Sequence, residues 1–269
     1  MSTVIVGFGI ALIGLGALLV FLRGRVKRRL LEMRVTEAST AKELAELCQS
    51  TNEGIGKTGQ FRQHVELKGV VKCDKPLHGE LSQEPCVFYE MDVSERFDEV
   101  YYEQDANGNR QRHRRTGTAS VAHNSQRVPF QIEDPTGRVT VNPNSAKIEP
   151  VQILSRYEQS FPGTRFSFGG FSLDIVGRSE DRKVLGYQLT EKTIPVGRDV
   201  LVLGEASDAS GHLTIQLPSD SDEPFVITLK SKEELERDAS NSATLLMIGA
   251  IVSWIGGAAA LAYGMLGQL

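Results

Sequence analysis

The sequence predicts a mainly β protein: an all-β, barrel-like domain of antiparallel hairpins between two transmembrane α-helices, with a short amphipathic helix after the first span. Three observations predict it. Residues 3–22 and 243–266 contain no Asp, Glu, Lys or Arg, and each run is at least 20 residues long. All 30 basic and 34 acidic side chains, with their net charge of −4, therefore fall elsewhere. In that charged middle, short apolar–polar alternations are separated by Gly, Pro, Asn and Asp, the pattern of strands and turns. The mean hydropathy of −0.20 resembles that of a soluble protein only because it averages two different materials.

At 1.5 Å per residue, about 20 helical residues cross the roughly 30 Å hydrocarbon core of a bilayer. The first apolar run is too long for a signal peptide, and no basic residue precedes it. Its charges come afterwards: Arg23, Arg25, Lys27, Arg28, Arg29 and Arg34 against Glu32. Basic residues flanking a span stay on the cytoplasmic side, so the central domain is expected to be cytoplasmic, with the protein integral and multi-pass. Lys230, Lys232 and Arg237 before the second run are mixed with four acids and add little. Gly7, Gly9, Gly14 and Gly16, with Gly249, Gly256 and Gly257, permit close helix packing and a possible homo-oligomer through the membrane helices.

The boundaries follow: residues 1–23 for the first span and the start of its basic collar, 24–60 for an amphipathic helix and glycine-rich linker, 61–230 for the β domain, 231–242 for a charged helix, 243–266 for the second span and 267–269 for a tail. Thr40 and Glu43 have capping-box spacing, and Leu44, Leu47 and Cys48 then share one helix face. Residues 52–59 read as the linker. Strands are expected over 64–73 and 86–93. Asn107-Gly108 predicts a two-residue hairpin turn, which sets Asp105 opposite Arg110, Glu103 opposite Arg112 and Tyr101 opposite Arg114. Further hairpins are expected at 128–141, around the turn 134–137, and at 198–217, around 208–211. Residues 225–229 form a last strand. Residues 149–185 carry no clear pattern and read as a mobile, partly apolar loop.

No catalytic set emerges, and no cofactor or metal site is expected. Gly54, Gly56 and Gly59 match the dinucleotide fingerprint in letters, but a helix enters the turn and a strand leaves it, the reverse of what phosphate binding needs. Residues 170–174 break the nucleophile-elbow pattern at its last glycine. The five histidines show no zinc spacing, and Cys48, Cys73 and Cys86 form no framework. A Cys73–Cys86 bridge is possible; free thiols fit the predicted compartment better. The acidic balance argues against nucleic acid. Two patches remain as binding candidates. Phe161, Phe166, Phe168 and Phe171, with Tyr187, would line an aromatic groove. Arg110, Arg112 and Arg114 would face either anionic lipid or nucleic acid, or a neutralising acidic strand paired to them.

The stretch Gly186-Tyr187-Gln188-Leu189-Thr190-Glu191-Lys192-Thr193-Ile194-Pro195-Val196-Gly197, followed by Val200-Leu201-Val202-Leu203-Gly204-Glu205-Ala206, resembles the GIDE family, also called the mitochondrial ubiquitin ligase activator of NF-κB family. Residues 65–71 with Gly69, Val128-Pro129-Phe130 and Pro224-Phe225 agree in order and spacing over roughly residues 60–265. The resemblance implies structural roles for Gly69, Pro129, Tyr187, Pro195, Gly197 and Gly204. It also implies a "beside a membrane" (BAM) domain between two membrane helices. Family members are membrane-embedded RING-type E3 ubiquitin ligases of mitochondria and chloroplasts, whose RING binds two zinc ions through eight Cys or His side chains. Three cysteines cannot supply that site, so the expectation is a RING-less, prokaryotic type of member without ligase activity. In mitochondrial members the domain faces away from the cytosol, the opposite of what the basic collar predicts here. The expected function is a binding module for a protein, peptide or lipid-derived ligand at the membrane surface. The alternatives are an E3 ubiquitin transferase and a structural membrane anchor.

Overall fold

The computed structural model describes residues 2–35, 38–104, 108–159, 166–173, 181–220, 223–230 and 232–266. Two long helices, α1 (Ser2–Val35) and α3 (Lys232–Leu266), enclose the polar middle of the chain. Each contains a segment long and apolar enough to cross a membrane, Gly7–Arg25 and Ser240–Tyr263. At 34 and 35 residues, each helix is roughly 50 Å long, about 20 Å more than a hydrocarbon core. The basic collar and the charged segment before the second apolar run are therefore helical extensions of the two apolar segments.

The helices pack antiparallel, since contacts descend along α3 as they ascend along α1: Gly9 meets Leu261 and Gly257, Gly16 meets Trp254, and Leu19 meets Gly249. Small residues let the two backbones approach, the device by which helices pack where a surrounding lipid would offer no hydrophobic drive for association. A Cβ on Gly257 would lie 2.9 Å from the Gly9 carbonyl oxygen. The Trp254 indole N–H donates to the Ile13 carbonyl at 3.3 Å, which satisfies a polar group that hydrocarbon would leave unpaired. Gly7 and Gly14 point into open space. The interface uses its glycines within one chain.

Between the helices lies α2 (Ala41–Ile55), followed by fourteen strands: β1 (Arg62–Lys72), β2 (Leu77–His78), β3 (Pro85–Gln104), β4 (Arg110–Arg127), β5 (Phe130–Asp134), β6 (Gly137–Val141), β7 (Lys147–Glu149), β8 (Val151–Gln159), β9 (Phe166–Phe168), β10 (Phe171–Leu173), β11 (Arg182–Pro195), β12 (Asp199–Ser207), β13 (Thr214–Gln216) and β14 (Val226–Thr228). The order β1-β5-β6-β13-β12 returns to β1, closing a five-stranded barrel in which only β6 and β13 run parallel. That is the circuit of an OB-type barrel. Its inward positions alternate along each strand, as in Val65, Leu67 and Val71 of β1 and Val200, Val202 and Ala206 of β12. Gly69 is required where β5 crosses β1, because a Cβ there would lie 2.5 Å from the Glu133 carbonyl oxygen. Gly204 leaves room for the Phe225 ring.

Helix α2 covers the barrel with Ala41, Leu44 and Cys48. Its start is the capping box expected from Thr40 and Glu43, and Gly56 closes it in the left-handed conformation. The first part of the expected linker is thus helix, and the fingerprint glycines Gly54 and Gly56 lie in its last turn and cap.

The second sheet, a half-barrel, has the order β2-β3-β11-β8, with β4 also paired to β3. It corrects the expectation of a mobile loop over 149–185, since β8, β9, β10 and the start of β11 lie there. Strand β8 is an edge with only half-buried or exposed residues, so its alternation is weak. The β3–β4 register is also corrected: Gln104 stands opposite Arg110, Tyr102 opposite Arg112 and Val100 opposite Arg114. The ladder is shifted by one residue from a two-residue turn, so the connection from Gln104 to Arg110 is longer. Asp105 and Asn107 lie outside the described residues.

Gly16→Leu should drive α1 and α3 apart, because even a Cβ there would lie 2.3 Å from the Trp254 indole nitrogen. Disulfide formation between Leu12→Cys and Gly256→Cys, a pair in contact across the helices, should slow at least about tenfold in that variant. Gly7→Leu, in open space, should leave it unchanged.

Candidate functional site

Of the aromatic residues, Phe161 lies outside the described residues and Phe166 opens β9. Strands β9 and β10 form a tight hairpin, with Phe171 opposite Phe168. Phe171 and Tyr187 are only 8% and 2% exposed and belong to a core shared with Leu81, Met91, Val93 and Leu189. They are interior residues, which corrects the groove expected from sequence. Phe168 is half-buried against this core, with the Arg156 guanidinium 5.0 Å from its ring centroid.

This hairpin is docked on the turn 79–84. The Gly170 N–H donates to the Glu80 carbonyl at 2.7 Å. A Cβ on Gly169 would lie 2.2 Å from the Leu81 carbonyl oxygen. Glu191 of β11 holds the turn from beneath: fully buried, it accepts from the Leu81 N–H at 2.8 Å and the Ser82 N–H at 2.9 Å. A Cβ on Gly79 would come within 2.5 Å of that carboxylate. Sequence reading overlooked Glu191. The available signal was an acid in the inward register of β11, between Leu189 and Thr193.

Two further carboxylates fix α2. Asp134 accepts from the Ala41 N–H at the helix start, and from Thr136 and Gly137 in its own turn. Burial pushes Asp134 up, but the Thr136 hydroxyl and these three amides outweigh it and hold it below the usual carboxylate range. Asp208 accepts from the Gly59 N–H, the Asn52 amide and the Phe61 N–H at 2.8–3.0 Å. The Gly59 amide, with the others, overcomes burial and lowers its pKa.

A cleft of about 480 Å³ separates α2 from the β12–β13 turn and is lined by Cys48, Asn52, Asp208 and His212 among others. Burial and the Asp208 charge push the Cys48 thiol up, which disfavours the nucleophilic thiolate. A second cleft, of about 450 Å³, lies beside Lys72, Cys73, Lys75 and Pro129. All three cysteines are free. Burial, with the Glu191 and Glu84 charges, pushes Cys86 up to about 11.

On the outer face of the second sheet, Glu90, Asp92 and His123 bring possible metal ligands within 4.8 Å of one another. His123 Nδ1 lies 2.8 Å from Asp92, and Lys192 stands opposite Glu90. The three could contribute two carboxylates and an imidazole to a cation. Sequence spacing hid them because they come from two strands.

The arginine-rich strand has two different faces. On one, the Arg115 guanidinium pairs with Glu99 and lies 5.4 Å from the Tyr101 ring, on which His113 stacks. On the other, Arg114 is bound by Asp98, which the pairing holds below its ordinary pKa. Arg110 and Arg112 share that second face with Tyr102. Among the described residues, no carboxylate forms an ion pair with Arg110 or Arg112. The neutralising ladder expected from sequence therefore covers part of the strand.

The GIDE family pattern, described as E3 ubiquitin ligase, matches residues 98–262, from the second half of β3 into the apolar part of α3. The chain belongs to the GIDE family. It is also 26% identical to E3 ubiquitin-protein ligase SPL1 of Arabidopsis thaliana over 114 residues, 41% of this chain and 31% of that protein. The matched segment thus spans under a third of the relative. No solved structure matches. In this GIDE domain the motif residues have structural positions: Pro195 ends β11 at a register shift, Gly197 takes a φ of 84° and donates to the Val71 carbonyl, and the Pro129 carbonyl faces the Cys73 thiol.

Asp208→Ala should destabilise the docked α2 by about 3 kcal/mol, given hydrogen bonds to a charged acceptor. Hydrogen exchange across residues 41–55 should rise in step. Because the pKa values of Asp134 and Asp208 are lowered by folding, their contribution is complete at neutral pH. It is lost as pH falls below about 4 through the depressed values. Exchange in α2 of the unaltered protein should therefore accelerate below that pH, after correction for intrinsic rates, and less so in Asp208→Ala.

Proposed function

We propose that this chain is a two-pass membrane protein that holds its GIDE domain beside one face of the bilayer as a docking module for a protein or peptide. The observation that carries this reading is the antiparallel packing of α1 and α3. It brings the end of α1 and the start of α3 out on one side, so the β domain between them is tethered twice to one membrane face. The helical extensions beyond the apolar segments act as a short stalk. The basic residues between Arg23 and Arg34 favour the cytoplasmic face.

The family description and the name of the plant relative support a connection with ubiquitin-type ligation. In this reading residues 1–269 supply the membrane-anchored docking part, and covalent transfer needs a zinc-binding module that these residues do not contain. Cys48 and Cys86 are buried in separate places, and the described group with metal-ligand spacing contains no cysteine. These residues do not provide the family's thiolate-rich zinc site.

Cys73, the half-exposed thiol, reports sidedness. A membrane-impermeant maleimide should leave Cys73 and an added Asn144→Cys unlabelled in intact cells and label both after permeabilisation. Labelling in intact cells would place the domain outside. Photo-crosslinkers on the exposed surface of the domain should capture a second protein in native membranes. Capture of lipid or of this chain alone would instead support a lipid-binding or anchoring role.

A further inference from the structure

We infer that the open edge of β4 is a docking strand for an extended acidic segment of a partner protein, which adds to the second sheet as a further strand. This rests on the docking-module reading and names its edge and its partner's chemistry.

Strand β4 is 18 residues long, about 60 Å at the usual rise per residue. Among the described residues its backbone ladder is made with β3 alone; Asn124 and Arg127, towards its end, also donate side-chain hydrogen bonds to Glu80 and to the Pro143 carbonyl. Strand β2 shares that side of β3 only beyond the end of β4, at Pro85 and Cys86. Alternate residues along such an edge turn their N–H and C=O groups outwards. Proteins usually blunt long edges with proline, short strands, cover, β-bulges or charged side chains, and of these β4 uses the last two, so that its charge selects against pairing with a like strand. Here no proline interrupts the strand, and its one bulge, at Val121 between the partners of Val93 and Ser94, leaves Arg110 to Ser120 in unbroken register.

The side chains define what would pair there. The strand carries five arginines and two histidines and no Asp or Glu. Carboxylates on β3 engage Arg114 and Arg115 from the inner side. Arg110 and Arg112 remain as charges without such a partner among the described residues, beside Tyr102, which is 58% exposed. An acidic strand along the free edge would place carboxylates in cross-strand positions next to these arginines while its backbone closes the ladder. The opposite edge, β8, makes a useful contrast: its Arg156 is paired with its own Glu158, so it shows no preference for one sign. Bilayers and nucleic acids offer negative charge but no extended backbone to complete a ladder.

The test uses the full chain in phosphatidylcholine nanodiscs and a fluorescent peptide of about twelve residues alternating glutamate with valine or threonine. Its affinity should fall at least about tenfold in the R110E/R112E variant, and to a similar extent when alternate backbone nitrogens of the peptide are methylated. The corresponding lysine peptide should not bind. Both substituted positions are exposed, so unchanged circular dichroism and elution will verify the fold. Equal binding of the methylated peptide would overturn strand addition and leave charge alone. Displacement of the peptide by phosphatidylserine nanodiscs, lost in the double variant, would assign the arginines to the bilayer and overturn the inference. Absence of peptide binding would also overturn it. If protein crosslinking to the domain persisted, only this edge and chemistry would fall, and the docking-module reading would stand.

Discussion

Strand β1 is hydrogen-bonded to two neighbours, and the arrangement of the rest depends on it. It pairs with β12 from Arg62 to Val70, and Val70 also begins the pairing with β5. One strand therefore closes the barrel, and the crossing is possible because Gly69 has no side chain to collide with the Glu133 carbonyl. The turn after β11 reinforces the junction: the Gly197 N–H donates to the Val71 carbonyl, and the Val71 N–H to that of Arg198. With the ring closed early and late in the chain, the segments between β1 and β5 and between β6 and β12 are free to build the second sheet. The two cores meet at the junction, where Val87, Phe88 and Ile194 of the second sheet pack into the barrel cluster.

Loops in this domain are held mainly by buried carboxylates. Glu191 receives two amides of the turn 79–84, Asp208 receives the chain between α2 and β1, and Glu205 receives the N–H and hydroxyl of Ser219. A carboxylate buried without partners is costly, but its oxygens accept several bonds and so fix several backbone groups at once. Each such contact joins positions remote in sequence. The local glycines follow from these contacts, as Gly79 shows beside Glu191.

These long-range contacts explain what the sequence revealed and what it concealed. The two long apolar helices, the capping box at Thr40 and Glu43, and the hairpin turn at Asp134–Gly137 were legible because each is encoded within neighbouring residues. The second sheet was largely hidden. Strand β8 carries Ser155, Arg156 and Glu158 on an open edge, and strands with little burial show little alternation. Tyr187 and Phe171 looked like surface aromatics beside glycines, yet the glycines exist so that the hairpin can dock and bury Phe171. The β3–β4 register slipped by a residue because Asn107-Gly108 specifies a turn type locally, whereas the ladder is set by the whole length of both strands. The Glu90, Asp92 and His123 group could not be found by spacing at all, since strand pairing brings it together.

Closing one sheet also decides where interactions can occur. A barrel whose strands all find neighbours has few open backbone groups, so the longer edges of the GIDE domain lie in the half-barrel, at β4 and β8, while the three-residue β7 ends the other sheet. The same insertion that makes β4 an edge also makes the hairpin outrun its supporting strand: β11 reaches only Glu99 of β3, whereas β3 continues to Gln104. Past Val100, whose N–H donates to the Asp181 carbonyl, no third strand lies beside the two among the described residues, a form that is only marginally stable unless side chains hold it. The stacked Tyr101–His113 pair and the Arg114 and Arg115 ion pairs lie in or beside this segment. The paired arginines are thus accounted for by the stability of the arm. Arg110 and Arg112, nearer its tip, make no ion pair with a carboxylate among the described residues, and it is there that the proposed acidic strand would add its charges.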